Sequence, residues 1–201
     1  MILKPFFPRD ASKDAARSLY EAVIAQARQQ AFYRHCGVPD SLDGRFEMIS
    51  LHGFLVLRQL RGHGADAEAV AQGFVDVLAL DFDRSLREMG VGDLSVGKRV
   101  RRMVEAFRGR IAAYDEGLAG GGEALEAALK RNAYGTVSPE PAQVAALAAY
   151  LAREAAQPAA AGLLEGALAF GPPPESDAQN RDQNEGQNGG QSSGSGALKG
   201  D

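Results

Sequence analysis

The sequence predicts an all-α protein, a single-domain helical bundle with a disordered C-terminal tail. Three observations carry the prediction. Apolar residues return at three- and four-residue spacing in successive stretches between Leu19 and Leu151, the period of one helix face. Short breaks containing Gly or Pro separate these stretches: Gly37-Val-Pro39, Arg61-Gly-His-Gly64, Gly90-Val-Gly92 and Gly120-Gly-Gly122. No stretch alternates apolar and polar residues as a half-buried strand would.

Residues 1–9 read as an extended lead-in, residues 10–168 as the helical domain and residues 169–201 as the tail. Asp10 or Ser12 is placed to cap a first helix by accepting a hydrogen bond from a free backbone N–H. Leu19, Val23, Ile24, Ala27 and Ala31 form its inner stripe, and it ends near Cys36-Gly37-Val38-Pro39, because Pro cannot continue a helix. A second helix starts near Ser41–Asp43. Phe46, Ile49, Gly53, Leu57 and Leu60 make one stripe, and Met48, Leu51, Phe54 and Leu55 extend it around the helix. A helix apolar nearly all round is a buried one. A third runs from about Asp66 to Met89 with Val70, Phe74, Val77, Leu78, Phe82 and Leu86 inward.

The fourth helix has the cleanest pattern. Val100, Met103, Val104, Phe107, Ile111, Tyr114 and Leu118 fall within about 100° of arc at 100° per residue, with Lys98, Arg101, Arg102 and Arg108 on the other side. After the three glycines, helices are expected near 123–133 and 140–156, the latter with Val144, Leu147, Ala148 and Leu151 in register. An alanine-rich turn is expected within 159–169. From Gly171 the chain turns to Pro, Gln, Asn, Gly and Ser, with Ala178, Ala197 and Leu198 its only aliphatic residues. Such a segment cannot offset its ordering entropy by burial.

Composition sets further bounds. The 201 residues suit one domain, and 45% apolar content supports a real core. A net charge of −4 argues against a DNA or general polyanion binder. The charge is uneven, however: residues 84–110 hold eight Lys/Arg against three acids. The single cysteine, Cys36, excludes an intrachain disulfide and cysteine-rich zinc sites. Met1-Ile-Leu-Lys-Pro-Phe-Phe-Pro8 reads neither as a signal peptide nor as an Arg/Ser-rich transit peptide. The longest apolar stretch, Met48 to Leu60, is too short and too polar to span a bilayer.

No catalytic or metal-ligating constellation emerges. Gly92, Gly97 and Lys98 match the spacing of a phosphate-binding loop, but Arg99 stands where a magnesium-binding Ser or Thr belongs, and the flanks read as helix. The simpler reading is a helix–loop–helix corner whose glycines supply positive φ. Asp81 and Asp83 point about 200° apart on a helix and are not a catalytic pair. Asp83–Arg87, Arg84–Glu88 and Arg101–Glu105 read as i,i+4 ion pairs, and Arg45 is in sequence reach of pairing with Asp81 or Asp83 across helices. His52, inside an apolar helix, reads as a hydrogen-bonded core residue. Neither a cofactor nor a bound metal is expected.

The stretch Leu86-Arg-Glu-Met-Gly-Val-Gly-Asp-Leu-Ser-Val-Gly-Lys-Arg-Val-Arg-Arg-Met103 resembles the ubiquinol–cytochrome c chaperone family. Three further blocks support the resemblance in the same order: Gly37-Val-Pro-Asp-Ser-Leu-Asp-Gly-Arg-Phe-Glu47, Asp81-Phe-Asp-Arg-Ser-Leu-Arg87 and Arg108-Gly-Arg-Ile-Ala-Ala-Tyr-Asp115. Together they cover residues from about 32 to 134. The resemblance implies an assembly chaperone for the cytochrome bc1 complex, binding newly made cytochrome b, or another bc1 subunit, without catalysis and with a possible helper subunit. Mitochondrial members would carry a transit peptide, so the chain is read as bacterial and cytoplasmic, at most peripheral on the inner membrane.

On this reading, exposed members of the matching blocks are the candidate partner-binding residues: Asp40, Asp43 and Arg45 in one group, and Arg84, Arg87, Lys98, Arg99, Arg101, Arg102 and Arg108 in the other. The second group fits a ribosome or an anionic inner-membrane surface as well as a protein client. Two alternatives stay open: a nucleotide- or lipid-handling enzyme built on the Gly92–Lys98 corner, and a ribosome- or RNA-docking module using the basic face of the fourth helix.

Overall fold

The computed structural model describes residues 9–175, with side chains described from Ala11 onward. The expected lead-in over residues 1–8 and the tail from 176 to 201 lie outside the described residues. Within them the protein is all-helical: α1 (Arg9–Ala27), α2 (Gln30–Arg34), α3 (Leu42–Leu60), α4 (Gly64–Glu88), α5 (Asp93–Gly120), α6 (Gly122–Asn132), α7 (Pro141–Ala155) and a 3₁₀ turn at Leu163–Glu165.

Two adjoining cores share α3. One joins α1, α4, the first half of α5 and the 3₁₀ turn around Leu19, Val56, Phe74, Leu78 and Phe107. The other joins α2, α6, α7 and the second half of α5 around Phe32, Leu51, Tyr114, Leu129 and Leu147. Ile49, Ile111 and Phe170 pack against both. The expectation that α3 is buried nearly all round holds: Met48, Leu51, His52, Phe54, Leu55 and Val56 are all sealed from solvent. Ser41 caps it, its Oγ accepting from the Gly44 N–H at 3.2 Å. Gly53 lets α5 approach closely, since a Cβ there would meet the Phe107 ring at 3.0 Å.

Three boundaries differ from the sequence reading. Arg9 is already helical, so Asp10 and Ser12 lie inside the first turn of α1 and are not its cap. The first helix also does not run on to Cys36. It stops at Ala27, where the Tyr33 hydroxyl takes up the freed Ala27 carbonyl at 2.7 Å, and α2 follows after Gln29 in extended conformation. At the other end, packing continues past residue 168. Phe170 stacks edge-on against His52, with ring centroids 5.1 Å apart. The Gly171 N–H donates to Glu154 at 2.9 Å, its carbonyl accepts from Gln26 at 3.0 Å, and Arg153 donates to the Pro172 carbonyl.

His52 is the hydrogen-bonded core residue that the sequence suggested. Its Nδ1 faces the Met48 carbonyl at 2.8 Å, so Nδ1 carries the proton and Nε2 accepts from the Tyr150 hydroxyl at 2.9 Å. Gln26 donates to the same hydroxyl at 3.0 Å, which ties α1 to α7 and α3 in one chain of hydrogen bonds. Burial depresses the His52 pKa to about 4, so the ring is neutral at neutral pH. Among the described residues no helix is long and apolar enough to cross a membrane.

Candidate functional site

The basic stretch of sequence divides into three fates. Arg84 and Arg87, on the last turns of α4, are occupied by neighbouring acids. Arg84 donates to Asp81 at 2.7 Å and lies 4.0 Å from Glu88. Arg87 holds Asp83 at 2.6 Å and also Asp93, the first residue of α5. That second contact clamps the α4–α5 corner. The Asp83–Arg87 and Arg84–Glu88 pairs are those expected from the spacing.

Arg110 has the opposite fate from its neighbours. It turns inward and grips Glu47 of α3 with two nitrogens, Nε at 3.0 Å and Nη2 at 2.5 Å, while Nη1 donates to the Ala106 carbonyl. The Phe46 ring lies 5.1 Å from its guanidinium carbon. Glu47 is almost wholly buried. Burial pushes its pKa up, and the Arg110 hydrogen bond opposes that rise. The pair belongs to the interior, although the sequence counts Arg110 among the cations of the basic segment.

Lys98, Arg99, Arg101, Arg102 and Arg108 are all exposed. None makes an ion pair or hydrogen bond with another described side chain; the expected Arg101–Glu105 pair does not form, both side chains extending into solvent. The apolar stripe of α5 faces the core as expected, with Phe107 and Tyr114 sealed. Val96, unmarked by the sequence reading, is sealed with them.

The Gly92–Lys98 segment is not a phosphate cradle. Residues 93–98 are the opening turns of α5, and the Ser95 and Val96 N–H groups already donate to the Gly92 carbonyl. Only Gly90 adopts positive φ at this corner, at 80°; Gly92, at −62°, is an ordinary extended residue ahead of the helix and Gly97 is helical. The expected corner with several positive-φ glycines is therefore a four-residue connection, residues 89–92, with one such glycine.

The first group of candidates forms a separate local cluster. Arg45 pairs with Asp40 at 2.9 Å at the start of α3, not with Asp81 or Asp83, which are engaged on α4. Asp43 is exposed in the same first turn, where it complements the helix dipole. Among the described residues no hydrogen bond or ion pair joins this cluster to the α4–α5 corner.

A feature that the sequence reading missed lies between α1 and α4. A shallow groove of about 620 Å³ has Ile24, Ala25, Val77 and Leu80 in its lining, with Arg17, Glu21, Arg28, Asp81 and Arg84 around them. Tyr20 contributes its ring and donates to Asp81 at 2.8 Å. Leu80 is 69% exposed. The signal was present: Leu80 falls about 200° from Leu78 around α4, on the face opposite the buried stripe. Of the expected partner-binding residues, only Arg84 borders this groove.

The two interior groups with familiar reactive chemistry are closed off. Cys36 is buried and its thiol is pushed up to about 12 by burial, and His52 is enclosed as described. Among the described residues no three His, Cys, Asp or Glu side chains are grouped to hold a metal ion. The exposed features left for recognition are an apolar groove with a charged rim and a corner of unpaired cations.

The chain is similar to known proteins of one family. A model of a family described as ubiquinol–cytochrome C chaperone matches residues 34–163. The chain is 26% identical over 142 residues to ubiquinol-cytochrome-c reductase complex assembly factor 1 of Xenopus laevis, covering 71% of each chain. It is 25% identical to the Mus musculus protein of the same name, where the match takes in 48% of that relative's length. The chain thus spans only about half of the mouse protein. Its fold is similar to that in a crystal structure of the Cbp3 homolog from Brucella abortus, with a TM-score of 0.73, 35% identity, and coverage of 84% of this chain and 94% of that one.

Proposed function

The chain belongs to the ubiquinol–cytochrome C chaperone family, and from that premise we propose that it assists assembly of the cytochrome bc1 complex by holding newly made cytochrome b without catalysis. The observation that carries the proposal is the family match itself, which extends over residues 34–163 and so takes in α3 to α7. The form of the molecule supports it. A holding chaperone needs an apolar surface to cover a client segment, a charged rim to exclude water and orient the client, and no reactive group.

The α1–α4 groove has this chemistry. Leu80 and Val77 present apolar surface, and Arg17 and Arg28 beside it offer donors for the carbonyls or acids of an apolar client segment. A membrane subunit soon after synthesis exposes apolar helices whose burial in such a groove contributes about 25 cal/mol per Å². Asp40, Asp43 and Arg45, the first expected contact group, suit another bc1 subunit or a helper subunit. The site of action on this reading is the cytoplasmic side of the inner membrane.

The test is a deletion strain complemented with the full chain or with its Leu80→Asp variant. The wild-type chain is expected to restore bc1 complex level and to co-purify with newly labelled cytochrome b. Leu80→Asp is expected to fold normally, because Leu80 contributes little to the core, yet to lose client capture. An unchanged bc1 level on deletion of the protein removes the proposal. Full restoration by Leu80→Asp removes the groove from it.

A further inference from the structure

We propose that the α4–α5 corner is a docking surface for an anionic lipid bilayer. Leu94, on the first turn of α5, is fully exposed, and Met89, which closes α4, is 50% exposed. These two apolar side chains flank the turn that Arg87 clamps through Asp83 and Asp93. Lys98, Arg101, Arg102 and Arg108 share with Leu94 an arc of about 120° on the outer face of α5. Glu105 is the only acid on that arc between Leu94 and Arg108, and none of the four cations has a partner among the described residues.

An apolar tip backed by unpaired cations complements the interface of an anionic bilayer. The leucine and methionine enter the boundary between headgroups and acyl chains, while the cations meet lipid phosphates. The cations alone would serve an RNA backbone equally well. RNA, however, would leave Leu94 in water, and the outer arc offers no aromatic ring for base stacking. The rest of the chain favours the same orientation. With a net charge of −4 overall, the cationic corner is attracted to an anionic surface while the acidic remainder is repelled. This inference goes beyond the chaperone reading and does not depend on the identity of the client.

The experiment is co-sedimentation of the full chain with phosphatidylcholine vesicles and with vesicles rich in phosphatidylglycerol, at low and high salt. Selective, salt-sensitive binding to the anionic vesicles is expected. A Lys98→Gln, Arg101→Gln, Arg102→Gln variant should lower the partition coefficient about a hundredfold, at roughly fivefold per cation. Leu94→Ser alone should lower it roughly tenfold, through lost apolar insertion. Both variants should melt at the wild-type temperature, and Arg45→Gln at the far cluster should bind like wild type. Absence of binding, or equal binding to neutral vesicles, overturns the proposal. So does a Leu94→Ser variant that binds unchanged while the chain binds duplex RNA as tightly as vesicles, which would mark the corner as a polyanion surface.

Discussion

The inner and outer faces of α5 carry the same kind of residue under opposite conditions. Arg108 and Arg110 are two positions apart. Arg110 lies against α3, held by the Glu47 carboxylate, the Ala106 carbonyl and the Phe46 ring. Arg108 has no partner among the described residues and stands in solvent. A charge inside the fold must be matched, because an unmatched one costs several kcal/mol. A charge outside can remain unmatched, because water solvates it. The difference teaches that a pairing partner marks a structural cation, whereas its lack leaves a cation free for another molecule.

The inner face should give the largest effects. Phe107→Ala should destabilise the domain by about 3–5 kcal/mol, since the ring is sealed in the core against Gly53. Urea unfolding checks this, and a midpoint unchanged from wild type would break the comparison at its root. Arg110→Ala should cost about 3 kcal/mol by leaving Glu47 buried without its cation. Pairing it with Glu47→Gln should recover part of the loss, because the second change removes the stranded charge.

The neutral interior group gives a pH test of similar size. His52 is held near 4 in the folded chain against an ordinary value of 6.5, so between those values the unfolded chain binds a proton that the folded chain does not. Stability contributed by the neutral ring is full above about 6.5 and declines as pH falls toward 4, by roughly 3 kcal/mol in all. Unfolding free energies measured from pH 7 down to pH 4 should show this fall, and His52→Phe should flatten it. A flat wild-type profile over that window would show that the ring is not sealed.

Effects on stability should shrink toward the surface. Arg87→Ala removes exposed pairs to Asp83 and Asp93, which water and salt screen, and should lower the melting temperature only slightly. Smallest of all, reversal of Lys98, Arg101 and Arg102 to Glu should leave the melting temperature nearly unchanged, as exposed unpaired charges contribute about 0–1 kcal/mol each. A large loss of stability from that triple variant would show that the outer face is structural after all.

Much of this organisation was legible in the sequence, for a physical reason. Helical periodicity reports which side of each segment must leave water, so the stripes of α3, α4, α5 and α7 could be read directly. Pairing across helices could not be. Glu47 lies in a mostly apolar segment and calls for a cation, but nothing local says that Arg110, 63 positions away, supplies it. The break between α1 and α2 depends on a phenol returning to a carbonyl six residues back, which no propensity foresees. Leu80 and Leu94 escaped notice because a search for inward stripes passes over apolar residues that point out, and those two mark the groove and the corner.

The Arg87 clamp has a consequence for the speed of recognition. Because Arg87 links the end of α4 to the first residue of α5, its pairs bias the turn between them toward one shape before a partner arrives. A surface fixed in its bound shape loses little conformational entropy on contact. Its encounter rate is then set by diffusion and the long-range field of the cations, without a slow rearrangement in series. Association at this corner should therefore be fast and strongly dependent on ionic strength, and its lifetime should be set by how deeply Leu94 is covered.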